Sequence, residues 1–109
     1  MSEDFTMAVQ FKAKPEYSAE FGARLDGLVS ATRHDTGCIV FEVHRIVDDP
    51  DGWFLYEGWR SKADSDAHME KPEIKAFFAD WPRLLAEEPK PLILTLTSVR
   101  ASAAELRPA

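Results

Sequence analysis

Cysteine is almost absent from this chain of 109 residues. Cys38 stands alone, so no internal disulfide can form and the fold must rest on its core. A lone thiol of this kind is read as a small core residue at the start of a strand, ahead of the alternative that it forms a nucleophilic pair with a histidine. The three histidines, His34, His44 and His68, share no zinc-ligand spacing with it, so no zinc site is expected. Positive charge is scarce too, with 13 Lys and Arg against 19 Asp and Glu, a net charge of −6. A phosphate backbone would be repelled, and no basic stripe interleaved with aromatics occurs, so nucleic acid is not an expected partner. No apolar run approaches the roughly 18 residues of a membrane span, and Met1-Ser-Glu-Asp lacks the basic and apolar segments of a signal peptide. The expectation is a cytoplasmic protein with no membrane partner. Glycine-rich phosphate loops and a Gly-x-Ser-x-Gly elbow are missing as well, which removes most nucleotide-cofactor and hydrolase chemistry.

What is present suits a folded globular domain: 45% hydrophobic, 29% charged and 11% aromatic residues. Residues 1–99 read as one domain and 100–109 as a mobile tail with few anchors. Phe5, Met7, Val9, Phe11 and Ala13 alternate with more polar neighbours, the period of a half-buried strand. After Pro15, Ser18 with Phe21, Leu25, Leu28, Val29 and Thr32 follows helical spacing for about four turns, closing near Gly37. Two runs rich in β-branched and aromatic residues, Ile39 to Ile46 and Trp53 to Trp59, flank a turn containing Pro50 and Gly52 and predict a hairpin. Ser61 and Asp64 resemble a capping box, so a helix starts at Lys62, with Ala63 and Ala67 toward the sheet and His68 on the flank. Lys71-Pro72 restarts it, and Ile74, Phe77, Phe78 and Trp81 form an apolar stripe that Pro82 should break. One extra turn over 83–88 is possible before a last strand from Leu92 to Val99. The order is βαββαβ, a ferredoxin-like α+β fold with an antiparallel four-stranded sheet and both helices on one face. Both faces of the hairpin carry large apolar groups, so the face without helices needs a partner subunit or a ligand.

The candidate chemistry is a few titratable groups among aromatics. His68 stands where an imidazole could reach a pocket between helix and sheet; the plainer reading pairs it with Asp64 one turn earlier on a solvated flank. Glu57 shares a strand face with Leu55 and Trp59, an expensive place for an unpaired carboxylate. Arg45 on the neighbouring strand is its expected partner in a structural salt bridge. Glu42 and His44 share one face of the first hairpin strand. The aromatics Phe77, Phe78 and Trp81 are most simply core, a role compatible with lining a cavity.

Gly37-Cys38, Phe41-Glu42-Val43-His44-Arg45, Asp48-Asp49-Pro50, Tyr56-Glu57-Gly58-Trp59 and Ala67-His68 together resemble the antibiotic biosynthesis monooxygenase domains, especially the small quinol-monooxygenase-like ones. The resemblance runs from Phe5 to Val99. It implies two ferredoxin-like domains paired face to face as a dimeric α/β barrel, a homodimer in solution. It also implies cofactor-independent oxygenation of a small aromatic or quinol-like molecule by O₂, without metal or flavin. His68 or His44 would be the base and Glu57 would orient it or a substrate hydroxyl. Trp59, Phe54, Tyr56, Phe77, Phe78 and Trp81 would hold the substrate. The alternatives are a non-catalytic ligand-binding dimer, a small-metabolite isomerase and a haem-binding or haem-degrading relative. The haem branch carries tryptophan where His68 stands, its iron-ligating histidine where Phe78 stands, and a first-strand asparagine not found in this chain.

Overall fold

The structure, a computed structural model, describes residues 4–98. Four strands, β1 (Phe5–Lys12), β2 (Cys38–Arg45), β3 (Gly52–Trp59) and β4 (Lys90–Leu94), form one sheet in the order β2-β3-β1-β4 with every neighbour antiparallel. Between them run α1 (Ser18–Gly27), α2 (Val29–Thr32), α3 (Lys62–Met69) and α4 (Pro72–Leu84). This is the ferredoxin-like arrangement that the alternation of strand and helix periods predicts. No helix among the described residues is long and apolar enough to cross a membrane.

The register explains which side chains meet. Met7 faces Glu57, Val9 faces Leu55 and Phe11 faces Trp53, while Phe41 and Val43 lie opposite Glu57 and Leu55 from the other side. All of these project toward the helices, where Phe11, Phe21, Leu25, Phe41 and Leu84 are fully buried and Phe77 nearly so. Each such side chain contributes about 1.5–3 kcal/mol of transfer free energy, so this one layer supplies the main drive to fold. Thr6, Ala8 and Gln10 alternate to the opposite face, together with Phe54, Tyr56, Glu42 and His44. A bulge between Cys38 and Val40 resets the alternation at the start of β2.

Several local expectations need correction. The first helix does not run unbroken toward Gly37: it ends at Gly27, where the Leu28 N–H bonds back to Leu25, and four further helical residues lead to Thr32. Glycine at the junction gives up the side-chain contacts that would carry the helix through. Pro82 does not break α4, which continues to Leu84. The proline sits in the last turn, where it deprives one carbonyl of its partner, and burial of Leu84 and Leu85 outweighs that loss. Helix exit is then fastened to the end of β1 by Lys14 N–H to Leu84 O and Ala86 N–H to Lys12 O, both 2.8 Å. No further turn forms over 86–88, and the last strand spans Lys90–Leu94 in place of a longer run from Leu92. Val99 and the tail 100–109 lie outside the described residues.

The turn between β2 and β3 is closed by Ile46 N–H to Gly52 O and by Lys12 Nζ to Asp49 Oδ2 at 2.6 Å. Trp53 lies over Gly22 of α1, leaving no room there for a Cβ, and its indole N–H donates to Ser18 Oγ. The hairpin is thereby seated on the first helix, and the sheet and helices enclose a space between them.

Candidate active site

That space is a cavity of about 250 Å³ walled by Met7, Val9, Phe41, Leu55, Phe77, Phe78, Trp81 and Pro91, among others. Two titratable groups reach it, Glu57 from β3 and His68 from α3. Each is nearly removed from solvent, with 3% and 4% of its surface exposed.

His68 arrives there because α3 is rolled differently from the sequence expectation. Ser61 Oγ accepts the Asp64 N–H at 3.1 Å, the predicted cap, but Ser65 and His68 face inward while Ala63 and Ala67 lie outside. Burying two alanine methyls is worth about 0.8 kcal/mol each. Burying the imidazole gains more, because its ring packs on Trp59 at 4.8 Å and Phe41 at 5.8 Å and its Nδ1 meets Asp35 Oδ2 at 2.9 Å. The partner is thus Asp35, 33 residues earlier, and not Asp64.

Asp35 occupies the turn between α2 and β2, where its N–H bonds Thr32 O and its own carbonyl accepts the Cys38 N–H. Gly37, at φ 81°, makes the reversal possible, and its carbonyl accepts the Arg60 N–H. The second carboxylate oxygen takes Lys71 Nζ at 2.7 Å. Burial works to raise the Asp35 carboxyl, but the hydrogen bonds from Lys71 and His68 prevail and hold it below the ordinary carboxylate value. An ionised carboxylate only accepts, so His68 Nδ1 must carry the hydrogen. In the neutral ring the lone pair is then on Nε2.

Glu57 has the opposite balance. Its Oε1 accepts the Trp59 indole N–H at 2.8 Å; no ion pair joins it to Arg45, which lies opposite Trp53. Burial pushes the Glu57 carboxyl up, with the Trp59 hydrogen bond and nearby His68 acting against the rise. One hydrogen bond is worth about 1 kcal/mol, whereas desolvating an ionised carboxylate costs several. Glu57 therefore holds its proton to higher pH than an exposed glutamate and can donate it in a hydrogen bond.

The structure brings together only part of the expected set. His68, Glu57, Phe77, Phe78 and Trp81 share the cavity. Trp59, with no exposed surface, stands behind it and holds His68 and Glu57 in place. His44, Phe54 and Tyr56 are on the opposite face of the sheet, where the His44 and Phe54 rings meet edge to face at 6.3 Å, because strand alternation sends them away from Leu55 and Glu57. They share no wall with His68. Asp35 and Lys71 are not singled out by the sequence: the contact that joins Asp35 to His68 spans 33 residues, beyond the reach of local pattern. Among the described residues no cluster of three or more His, Cys, Asp or Glu is arranged to hold a metal ion.

An antiparallel four-stranded sheet under helices, with an apolar chamber carrying one acid and one imidazole between the layers, defines a small ferredoxin-like domain built around an internal cavity. Residues 4–80 match the family model for antibiotic biosynthesis monooxygenase, and the chain belongs to that family. An uncharacterized protein of Synechocystis sp. is 27% identical over 85 residues, 78% of this chain; the chain spans only 58% of that relative's length. Among solved structures, a Pseudomonas aeruginosa protein superposes with a TM-score of 0.83 at 23% identity, covering 90% of this chain and 98% of the other. A Mycobacterium tuberculosis protein gives 0.83 at 21% identity, covering 90% and 99%. A candidate antibiotic biosynthesis monooxygenase of Nitrosomonas europaea gives 0.82 at 20% identity, covering 89% and 93%. At these identities the structural likeness speaks for the fold.

Proposed function

We propose that the protein is a cofactor-independent monooxygenase that oxidises a small phenolic or quinol-type substrate with O₂. The observation that carries this reading is the apolar cavity whose titratable groups are His68, with its Nδ1 held by Asp35, and Glu57, biased toward its protonated form. A planar aromatic ring matches the Phe and Trp walls, and a phenolic hydroxyl matches the Nε2 lone pair.

The chemistry needs no further reductant. His68 takes the hydroxyl proton, and negative charge spreads to a ring carbon ortho or para to the oxygen. That carbon gives electrons to O₂ and forms a C–O bond, and the resulting hydroperoxide loses water. One oxygen atom ends as a product carbonyl, the other as water, and the substrate supplies all four electrons. Apolar walls favour the step by excluding water from the anion and O₂, and Glu57, in its protonated form, would donate a hydrogen bond to substrate oxygen as charge builds there.

The same reading makes the protein a homodimer through the sheet face without helices, where Leu92, Leu94, Phe54 and Tyr56 lie. The test is oxygen uptake in metal-free buffer across naphthols, dihydroxynaphthalenes and related quinols, repeated with ¹⁸O₂. Enzyme-dependent uptake with one labelled oxygen in the product is expected. Saturable binding without uptake across the panel would establish a binding module and overturn the oxygenase.

A further inference from the structure

We propose that Asp35 is the positioning residue of this site: with Lys71 claiming one of its oxygens, it fixes the His68 tautomer that leaves Nε2 free to accept a proton from a ligand hydroxyl. The inference rests on the cavity being a site for an acidic hydroxyl, but its first test needs neither ligand nor oxygen.

The geometry is a chain of three charged or polar groups running from solvent to the cavity. Lys71 Nζ is 2.7 Å from Asp35 Oδ1, and Asp35 Oδ2 is 2.9 Å from His68 Nδ1. Exposure falls along it, from a half-exposed Lys71 through Asp35 at 10% to His68 at 4%. The His68 ring is part of two walls, that of the apolar cavity and that of an outer pocket of about 300 Å³ which also includes Asp35, Lys71 and Thr32. The imidazole thus divides the wet side from the dry side, with its Nδ1 edge committed to the carboxylate. When a ligand O–H bond breaks, the proton bonds to Nε2 and the electron pair stays on the phenolate oxygen. The imidazolium that results faces Asp35, already ionised and held in its turn by backbone bonds on both sides. No rotation is required at the moment of transfer, which is the benefit of a preset partner.

The role of Lys71 makes the proposal specific. An ammonium only donates, so it must take an oxygen. In Asp35→Asn the amide has one oxygen and one NH₂; Lys71 claims the oxygen, and the NH₂ is left facing Nδ1. The ring must then accept at Nδ1 and carry its hydrogen on Nε2, which turns a proton acceptor into a donor. Beside a triad histidine the same substitution leaves the geometry intact and lowers kcat by about 10⁴-fold through the wrong tautomer.

Two readouts test this on the full chain. Imidazole ¹⁵N shifts of ¹⁵N-histidine-labelled protein, recorded where the His68 ring is neutral, report the tautomer without ligand. Wild type should show Nδ1–H and Asp35→Asn should show Nε2–H, while Asp35→Asn with Lys71→Met, which frees the amide oxygen, should return to Nδ1–H. 4-Nitrophenol, yellow only as its anion, reports proton acceptance on binding at a pH low enough that the free probe is neutral: ionised in wild type and in the double variant, neutral in Asp35→Asn, whose Nε2–H offers no lone pair to take the proton. Retention of Nδ1–H in Asp35→Asn, or an ionised probe in that variant, would overturn the inference and leave Asp35 a structural anchor. Failure of oxygen uptake alone overturns the oxygenase and leaves the tautomer result standing.

Discussion

Glu57, buried, and Asp35, mostly buried, are carboxyls beside His68, yet their surroundings push them in opposite directions. Glu57 is raised by burial against a single indole donor; Asp35, despite burial, is lowered by Lys71 and His68. Their contributions to stability therefore have opposite pH signs. Asp35 stabilises the fold above its ordinary value of 3.8, and that contribution is lost as pH falls through its lower folded value. Glu57 contributes fully below 4.5, where both states hold the proton, and loses its contribution as pH rises through its higher folded value. Urea unfolding of Glu57→Gln, which keeps an acceptor for the Trp59 indole, should remove the decline above pH 4.5 and leave the acid limb in place. A Gln variant that declines as steeply as wild type would mean that Glu57 is ionised in the fold. Little of this was legible in sequence. The hairpin position of Glu57 between Leu55 and Trp59 marked it as a costly carboxylate, but its partner lay two residues along the same strand and not on the neighbouring one. Asp35 was invisible because its role depends on a contact across 33 residues, and local pattern carries no such information.

At the scale of elements, periodicity found every strand and the helices that cover the sheet, because alternation and the i, i+3, i+4 stripe are local consequences of burial. Boundaries failed where a long-range contact decided them. Burial of Leu84 and the bonds to Lys12 and Lys14 carried α4 past Pro82, and Asp35 set the roll of α3. Strand β4 shows what the fold leaves unfinished: Leu92 and Ile93 are 62% and 61% exposed, on opposite faces of an edge strand. Leu92 and Leu94 lie on the face without helices, beside Ala8 and Thr6 of β1, and Phe54 and Tyr56 extend that apolar face across β3. A monomer seldom leaves so much apolar area in water, and pairing two such faces would bury it. Light scattering at micromolar concentration should give twice 12.3 kDa, and Leu92→Lys should shift the mass toward the monomer. A wild-type mass of 12.3 kDa at every concentration would contradict the homodimer.

Taken as a whole molecule, the protein is a sheet whose two faces have different tasks. The helix side keeps an apolar chamber, and its position between β1, β3, α3 and α4 explains why the family resemblance, carried mostly by β2, β3 and the end of α3, pointed to fold and pocket together. His68, expected on a flank where its replacement would cost under about 1 kcal/mol, is instead a buried wall of that chamber, so its replacement costs about 1–3 kcal/mol of stability. The central claim is that this imidazole takes the substrate proton. The most direct measurement is the rate of oxygen uptake by His68→Gln, a variant able to keep a hydrogen bond to Asp35, compared with wild type on whichever quinol the panel identifies. Loss of general-base help predicts that kcat falls by about 10²-fold or more while KM changes little. Uptake at the wild-type rate by a folded His68→Gln would contradict the account and assign the proton to another acceptor.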